Sequence, residues 1–348
     1  MKPRIGYIDA LRGFTMLLVV FAHVELFCFG ISFNDTLIGS LFITFRMPMF
    51  FFISGFIAYK SIIWDTNYYK TMVKKKALVQ IIPTLFFFYL YHWALNGRSL
   101  TMFFTEGPGA FWFTIVLFYM FMIYYAVMFI TRNWNQHVSD IILIVISIVG
   151  ALVYIGGMKC YDLQRYPILC LINLSRYLEF FVCGILCRKY QSNFLRFIGS
   201  EKVKALLLLS FLAIFIITWN KTIIKYSLIH VFNLEFSLRW IGLFLVFSLF
   251  YTYRNVFEKN NSITNSLRFI GRRTLDIYLI HYFVLPNLIA YKETLMGGVT
   301  PQNSIVELFV ISVISLLIIA SCLLISAIMR NSSLLGHYLL GAKIEKQV

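Results

Sequence analysis

Uncharged apolar stretches about as long as a bilayer is thick recur along this chain of 348 residues. Each is close to the roughly 20 residues that a helix needs to cross the hydrocarbon core. Hydrophobic residues make up 60% of the sequence and charged residues 13%, whereas soluble domains have about 45–50% and about 25%. One soluble core of this length could not bury so much apolar surface, so the sequence predicts an integral membrane protein.

The stretches predict an all-α, polytopic transmembrane bundle of about ten spans. The first is too long for the apolar part of a signal peptide, and no small-residue cleavage site follows it, so we expect it to stay in the membrane. No repeat or soluble segment interrupts the pattern, and residues 1–348 are predicted to form a single integral membrane domain. The predicted spans lie near residues 11–30, 37–59, 77–95, 111–131, 139–156, 168–187, 205–220, 236–253, 274–291 and 304–328.

Lysine and arginine are distributed unevenly between alternate loops. The set of loops that includes both ends of the chain contains most of them, and basic loops stay in the cytoplasm. We therefore expect both termini to be cytoplasmic and the number of spans to be even. The net charge of +16 is explained by topology and by lipid headgroups, so nucleic acid is not an expected partner. The opposite set has only Arg98, Lys159, Arg165, Lys221, Lys225 and Lys292.

The first predicted span contains three ionisable residues, Arg12, His23 and Glu25. Such residues cost about 2.5–3.5 kcal/mol near the bilayer centre, so they are candidates for function. At 3.6 residues per turn, Arg12 and His23 share one helix face about 16 Å apart. Glu25 points to nearly the opposite face, which makes it a poor partner for His23 unless the helix bends. Alternatively, Arg12 is a membrane anchor and His23 a hydrogen-bonding residue between helices.

A second polar face is predicted late in the chain. Thr274, Tyr278 and His281 recur at i, i+4 and i+7 and therefore share one side of a helix. This side is expected to point into the bundle, where Tyr278 and His281 could orient a substrate or His23. Hydrogen bonding between helices explains them equally well.

Arg176 and Glu179 are three residues apart, as are the members of many ion pairs on one helix. Arg176 is placed to contact an acceptor outside the cytoplasm, although a local ion pair explains it about as well. The six cysteines do not show a metal-type spacing with histidine, so neither a metal site nor a disulfide framework is expected.

Several segments resemble the membrane acyltransferase-3 family, in the same order along most of the chain. Ile8–Val24 (IDALRGFTMLLVVFAHV) has the family's arginine and histidine separated by ten residues, at Arg12 and His23. Phe45–Phe56 (FRMPMFFFISGF) resembles its proline, phenylalanine-run and Ser-Gly segment. Arg176–Leu186 (RYLEFFVCGIL) and Gly271–His281 (GRRTLDIYLIH) resemble two looser segments.

The resemblance implies O-acyl transfer to carbohydrate, with His23 as the essential base and Arg12 near an acyl-CoA. Acetyl-CoA is then the expected donor substrate, with no bound cofactor. Arg272 and Arg273 are further candidates for donor binding. A lipid-linked or exported cell-surface glycan is the expected acceptor, and a bacterial-type inner (cytoplasmic) membrane the expected location.

Arg46 is a departure from the family pattern, because many sugar-acetylating relatives have histidine just before Met-Pro. It is expected to bind an anionic acceptor group or an oxyanion, and Glu25 is expected to line the same acceptor region. An acyl-histidine intermediate and direct general-base transfer both remain open.

Two other classes of protein compete with the enzyme. A transporter or flippase could use the same polar residues as a solute or proton path, although paired broken spans in two halves are not evident. A structural membrane subunit would not need Arg12 and His23 on one face.

Overall fold

The computed structural model describes residues 5–62, 64–95, 97, 101–157, 169–219, 228–297 and 304–341. These residues form helices without any strand, which confirms the all-α prediction. The α-helices are α1 (Gly6–His23), α2 (Leu37–Ala58), α3 (Thr66–Lys76), α4 (Ile82–Tyr89), α5 (Met102–Thr105), α6 (Trp112–Ile130), α7 (Gln136–Gly157), α8 (Leu171–Lys189), α9 (Gln191–Ile198), α10 (Glu201–Trp219), α11 (Leu228–Thr252), α12 (Arg254–Glu258), α13 (Ser262–Arg272), α14 (Thr274–Ile280), α15 (Lys292–Met296), α16 (Ser304–Asn331) and α17 (Ser333–Leu340).

Seven helical segments among the described residues are long and apolar enough to cross a membrane, as a multi-pass membrane protein requires. Each coincides with a span predicted from the sequence. The total of about ten spans and the side of each terminus stay predictions. The seven segments are Gly6–Cys28, Leu37–Ala58, Gly109–Ile130, His137–Ile155, Glu201–Trp219, Leu234–Thr252 and Ser304–Asn331.

The span predicted over residues 274–291 is wrong as a single helix. Helix α14 ends at Ile280, a 3-10 turn covers His281–Phe283, and non-helical chain follows. Pro286 prevents the α-helix from resuming after this turn, because proline lacks an N–H and disfavours the helical conformation of the residue before it. The late polar segment is therefore a short helix and a turn.

The described chain forms two compact units. The first comprises Met1–Phe50 and Tyr190–Leu323, and the second comprises Phe51–Lys189 and Leu324–Val348. Arg12, His23 and His281 all belong to the first unit, so most of the candidate site is built within it.

In the first unit, helices α1 and α13 cross at two glycines. A Cβ added to Gly13 would lie 2.0 Å from the carbonyl oxygen of Leu267, and one added to Gly271 would lie 1.8 Å from that of Asp9. Only glycine permits this approach of the two backbones. The crossing lies next to Arg12 and Arg272 in sequence and therefore ties the start of α1 to the segment that precedes α14.

The second unit repeats this arrangement between α2 and α8. A Cβ on Gly55 would lie 1.9 Å from the carbonyl oxygen of Phe181, and one on Gly184 would lie 2.0 Å from that of Phe52. Gly55 therefore permits close packing of α2 against α8.

Candidate active site

His23 and His281 meet directly. His23 Nδ1 lies 2.7 Å from His281 Nε2, and the two ring planes are inclined by only 7°. His281 is fully buried, whereas His23 remains partly exposed. The prediction that His281 could orient His23 therefore has a direct geometric basis.

The second nitrogen of His281 determines how the pair is protonated. His281 Nδ1 lies 3.0 Å from the carbonyl oxygen of Ile277, which can only accept a hydrogen bond. With both rings neutral, His281 Nδ1 carries the hydrogen and Nε2 accepts one from His23 Nδ1. The lone pair of His23 is then on Nε2. This nitrogen can accept a proton as a base, and His281 stabilises the imidazolium that forms.

Local structure places both histidines. His23 is the last residue of α1, and a π-helical turn, Val24–Cys28, follows it. His281 lies one turn after Ile277, at the point where α14 passes into the 3-10 turn. Single-turn π bulges are frequent at functional sites because they change the direction of the side chains that follow.

Tyr282 is a member of the site that the sequence analysis missed. Its hydroxyl lies 3.3 Å from His23 Nε2, and its side chain is buried. Helical periodicity places Tyr282 off the stripe of Tyr278 and His281, so only the 3-10 turn brings it to His23. The Tyr282 hydroxyl lies where a hydroxyl attacking with help from His23 would also have to lie.

Arg12 is held at the other end of the polar stripe. Its guanidinium donates a hydrogen bond of 2.8 Å to Thr274 Oγ1, although 262 positions separate the two residues. Thr274 is buried and Arg12 partly buried. The two predicted polar faces therefore touch twice, near Arg12 and at His23. Because α1 is an unbroken helix from Gly6 to His23, the contacts are about 16 Å apart along it.

The predicted donor residues Arg272 and Arg273 precede Thr274. Arg273 Nη1 lies 3.7 Å from Oδ2 of buried Asp276. Arg272 is exposed and borders a groove of about 490 Å³ between α13 and α16, whose apolar wall includes Phe269 and Ile319. Both arginines are therefore close in sequence to Thr274, which Arg12 contacts, and their role in donor binding stays a prediction.

Glu25 lies in the π-helical turn and is completely buried. Thr36 Oγ1 donates a hydrogen bond of 3.1 Å to Glu25 Oε1. The Glu307 side chain, from the first turn of α16, lies within hydrogen-bonding reach of Glu25. The sequence analysis missed Glu307, and helical periodicity alone could not link it to Glu25.

Arg46 is buried in α2, with its guanidinium carbon 4.4 Å from the ring centroid of Phe33. It interacts electrostatically with both His23 and Glu25. The structure therefore brings the residue that departs from the family pattern to the His23 end of the site.

The last two predicted site residues have different positions. Tyr278 is buried, with its ring centroid 6.1 Å from that of His281. Arg176 belongs to the second unit, where its guanidinium carbon lies 5.5 Å from the ring centroids of Tyr154 and Tyr177. A role of Arg176 toward the acceptor stays a prediction. Within the described ranges, no cluster of three His, Cys, Asp or Glu side chains could hold a metal ion.

Comparison with known proteins identifies the family of the chain. The family model Acyl_transf_3, described as an acyltransferase domain, matches residues 5–325. The match includes Arg12, His23, Arg46 and His281. No curated protein and no solved structure matches the chain. Since the family model covers most of the sequence, this multi-pass membrane protein belongs to the acyltransferase-3 family.

Proposed function

We propose that this protein is an acyl-CoA-dependent O-acyltransferase, with acetyl-CoA as its donor. The acceptor is a hydroxyl of a lipid-linked or exported cell-surface glycan. His23 is the general base. Family membership favours this function over a transporter that uses the same polar residues.

The observation that carries the proposal is the chain of hydrogen bonds from the Ile277 carbonyl through His281 to His23. It leaves the Nε2 lone pair of His23 directed away from His281 on a partly exposed ring. Such a partner suits a base, because it holds the reactive tautomer and stabilises the charged ring.

In the proposed step, the acceptor hydroxyl attacks the carbonyl carbon of the thioester. Its proton passes to His23 Nε2, a C–O bond forms, and the C–S bond breaks. The departing CoA thiolate takes the proton from His23, so that the products are an ester and a free thiol. A positioned base typically contributes about 10²–10⁴-fold to such a rate.

Arg12 is proposed to bind a phosphate of the donor. A guanidinium is well suited to phosphate because it forms two parallel charge-assisted hydrogen bonds. The hydrogen bond to Thr274 fixes the orientation of the guanidinium at this end of the polar stripe. A thioester that enters past Arg12 and follows the shared face of α1 would end near His23.

Arg46 is proposed to act on the acceptor side, beside His23. Its cationic group would stabilise an anionic acceptor or the negative charge that develops on the carbonyl oxygen. Acyl transfer at this depth would then join a donor from one membrane surface to a glycan at the other.

The test is mass analysis of surface glycans from a strain that lacks the gene. Loss of one acyl unit, restored by the wild-type gene, is the expected result. His23→Gln should not restore it, because glutamine keeps hydrogen bonding but cannot act as a base near neutral pH. His137→Gln is the matched control, since this exposed histidine lies outside the site. Unchanged glycans in the deletion strain would overturn the proposed acceptor class.

A further inference from the structure

Two buried acidic residues face each other in the first unit. Glu25 is 0% exposed and Glu307 is 4% exposed, and both lie in membrane-spanning segments. Their side chains are within hydrogen-bonding reach of each other. Two ionised carboxylates would repel each other strongly in such a place, so the pair requires a physical explanation.

Neighbouring groups supply too few hydrogens for two carboxylates. Thr36 lies within reach of both acids but has one hydroxyl hydrogen, which it donates to Glu25 Oε1. The Thr36 oxygen is itself an acceptor from the backbone N–H of Gly39, at 2.9 Å. A Cβ on Gly39 would lie 2.8 Å from the backbone oxygen of Phe33 and equally close to Glu25 Oε1, so glycine leaves room for Glu25 here.

One oxygen of each acid still needs a hydrogen. Glu25 Oε2 and Glu307 Oε1 are buried and do not accept a hydrogen bond from any group in the described residues. Buried polar atoms in this position are costly. A proton placed between the two carboxyl groups would turn their repulsion into a hydrogen bond.

The charge of Arg46 determines how many protons the pair should hold. Arg46, on α2, interacts electrostatically with both Glu25 and His23. One proton on the pair leaves a single negative charge, which balances Arg46 and makes the group neutral. No proton would leave it at −1, and two protons at +1. Neutrality is favoured where water is excluded.

We propose that Glu25 and Glu307 share one proton, and that this pair neutralises Arg46 and thereby sets the electrostatic environment of His23. The pair acts through Arg46, so its members are positioning residues. Without the pair, the positive charge of Arg46 would oppose the imidazolium form of His23. The shared proton is inferred from the burial of the two acids and from their unsatisfied oxygens. Its effect on catalysis rests on the proposed function.

Infrared difference spectroscopy of the purified protein tests the proton directly. The C=O band of a protonated carboxylic acid should be present in the wild type. It should be lost in Glu25→Gln and equally in Glu307→Gln, because the acid that remains ionises opposite Arg46. The double variant should lose the same single band and no more. Glu293→Gln is the control, since Glu293 is exposed and should not contribute an acid band.

Three outcomes would overturn the proposal. A band that persists in both single variants but is lost in the double variant, or a loss in the double variant twice that in each single variant, would mean that both acids are protonated. A band that is lost in one single variant and kept in the other would mean that the proton belongs to one residue. If no band is lost in any variant, both acids are ionised. Each result is independent of transfer activity and therefore separates this proposal from the proposed function.

The pH profile of acyl transfer tests the link to His23. In each single glutamine variant the acid limb should lie at the wild-type pH, since the net charge beside His23 is unchanged. In the double variant it should move to lower pH, because Arg46 is no longer neutralised. Adding Arg46→Gln to the double variant should reverse that shift. An acid limb that stays in place in the folded double variant would show that the pair does not act on His23.

Discussion

His23 Nδ1 lies 2.7 Å from His281 Nε2, although 258 positions separate the two residues. This contact gives His281 a positioning role that can be measured. His281→Ala should lower kcat by about 10-fold or more, which is part of the about 10²–10⁴-fold that a general base contributes. The acid limb of the pH profile, where activity falls as His23 becomes protonated, should move to lower pH. The reason is that protonated His23 has lost the hydrogen-bond acceptor that stabilises it.

A conservative variant separates positioning from packing at His281. His281→Gln keeps a side-chain oxygen that can reach the position of Nε2 and should restore part of kcat. If alanine and glutamine lower the melting temperature equally and leave the acid limb in place, His281 is a packing residue only.

His23→Gln should abolish acyl transfer by the purified protein, with a loss of about 10²–10⁴-fold. The protein should remain inserted and keep its melting temperature, because glutamine can still donate a hydrogen bond to His281. Transfer of labelled acetyl from acetyl-CoA to the isolated glycan measures the effect. Wild-type turnover in this variant would remove His23 as the base.

Arg12→Lys should raise the KM for acyl-CoA more than it lowers kcat, since lysine keeps the charge but loses the planar, bidentate group. Thr274→Val is the companion variant. It keeps the shape of the side chain but removes the oxygen that accepts the 2.8 Å hydrogen bond from Arg12. A smaller rise of the same KM is expected. An unchanged KM in a normally folded Arg12→Lys protein would leave Arg12 as a membrane anchor.

Gly13→Ala and Gly271→Ala should each destabilise the protein by about 1–3 kcal/mol, the usual cost of overpacking. Their Cβ atoms would lie 2.0 Å and 1.8 Å from opposing backbone oxygens. Thermal unfolding in detergent measures the loss. Gly150→Ala is the matched control, because the nearest atom to its Cβ would be 3.5 Å away, in ordinary contact. Equal melting temperatures for all three variants would contradict the close crossing of α1 and α13.

The loop around Lys74–Lys76 should be cytoplasmic, because basic loops are retained on that side. A cysteine at exposed Lys75 should react with an impermeant thiol reagent only after the cells are opened. A cysteine at exposed Glu293, in a loop of the opposite set, should react in intact cells. Labelling is compared with that of the protein without the added cysteine. The reverse pattern would overturn the predicted orientation.

The membrane class, the positions of most spans and the register of Arg12 with His23 follow from the sequence alone. Hydrophobicity and the 3.6-residue period are local properties, and α1 is a continuous helix from Gly6 to His23 as the pattern predicts. Helical periodicity also grouped Thr274, Tyr278 and His281. It could not show that the bend before Pro286 ends this segment as a turn and brings Tyr282 to His23.

The partners across the bundle were decided by tertiary structure. Hydrogen bonds from His23 to His281 and from Arg12 to Thr274 depend on how closely α1 and the late segment pack, and glycines on two helices set that distance. Glu25 lies in a π-helical turn, and the direction of its side chain there cannot be derived from the 3.6-residue period of an α-helix. Its partner Glu307 lies 282 positions away in sequence, and only the packing of separate helices places two such acids together.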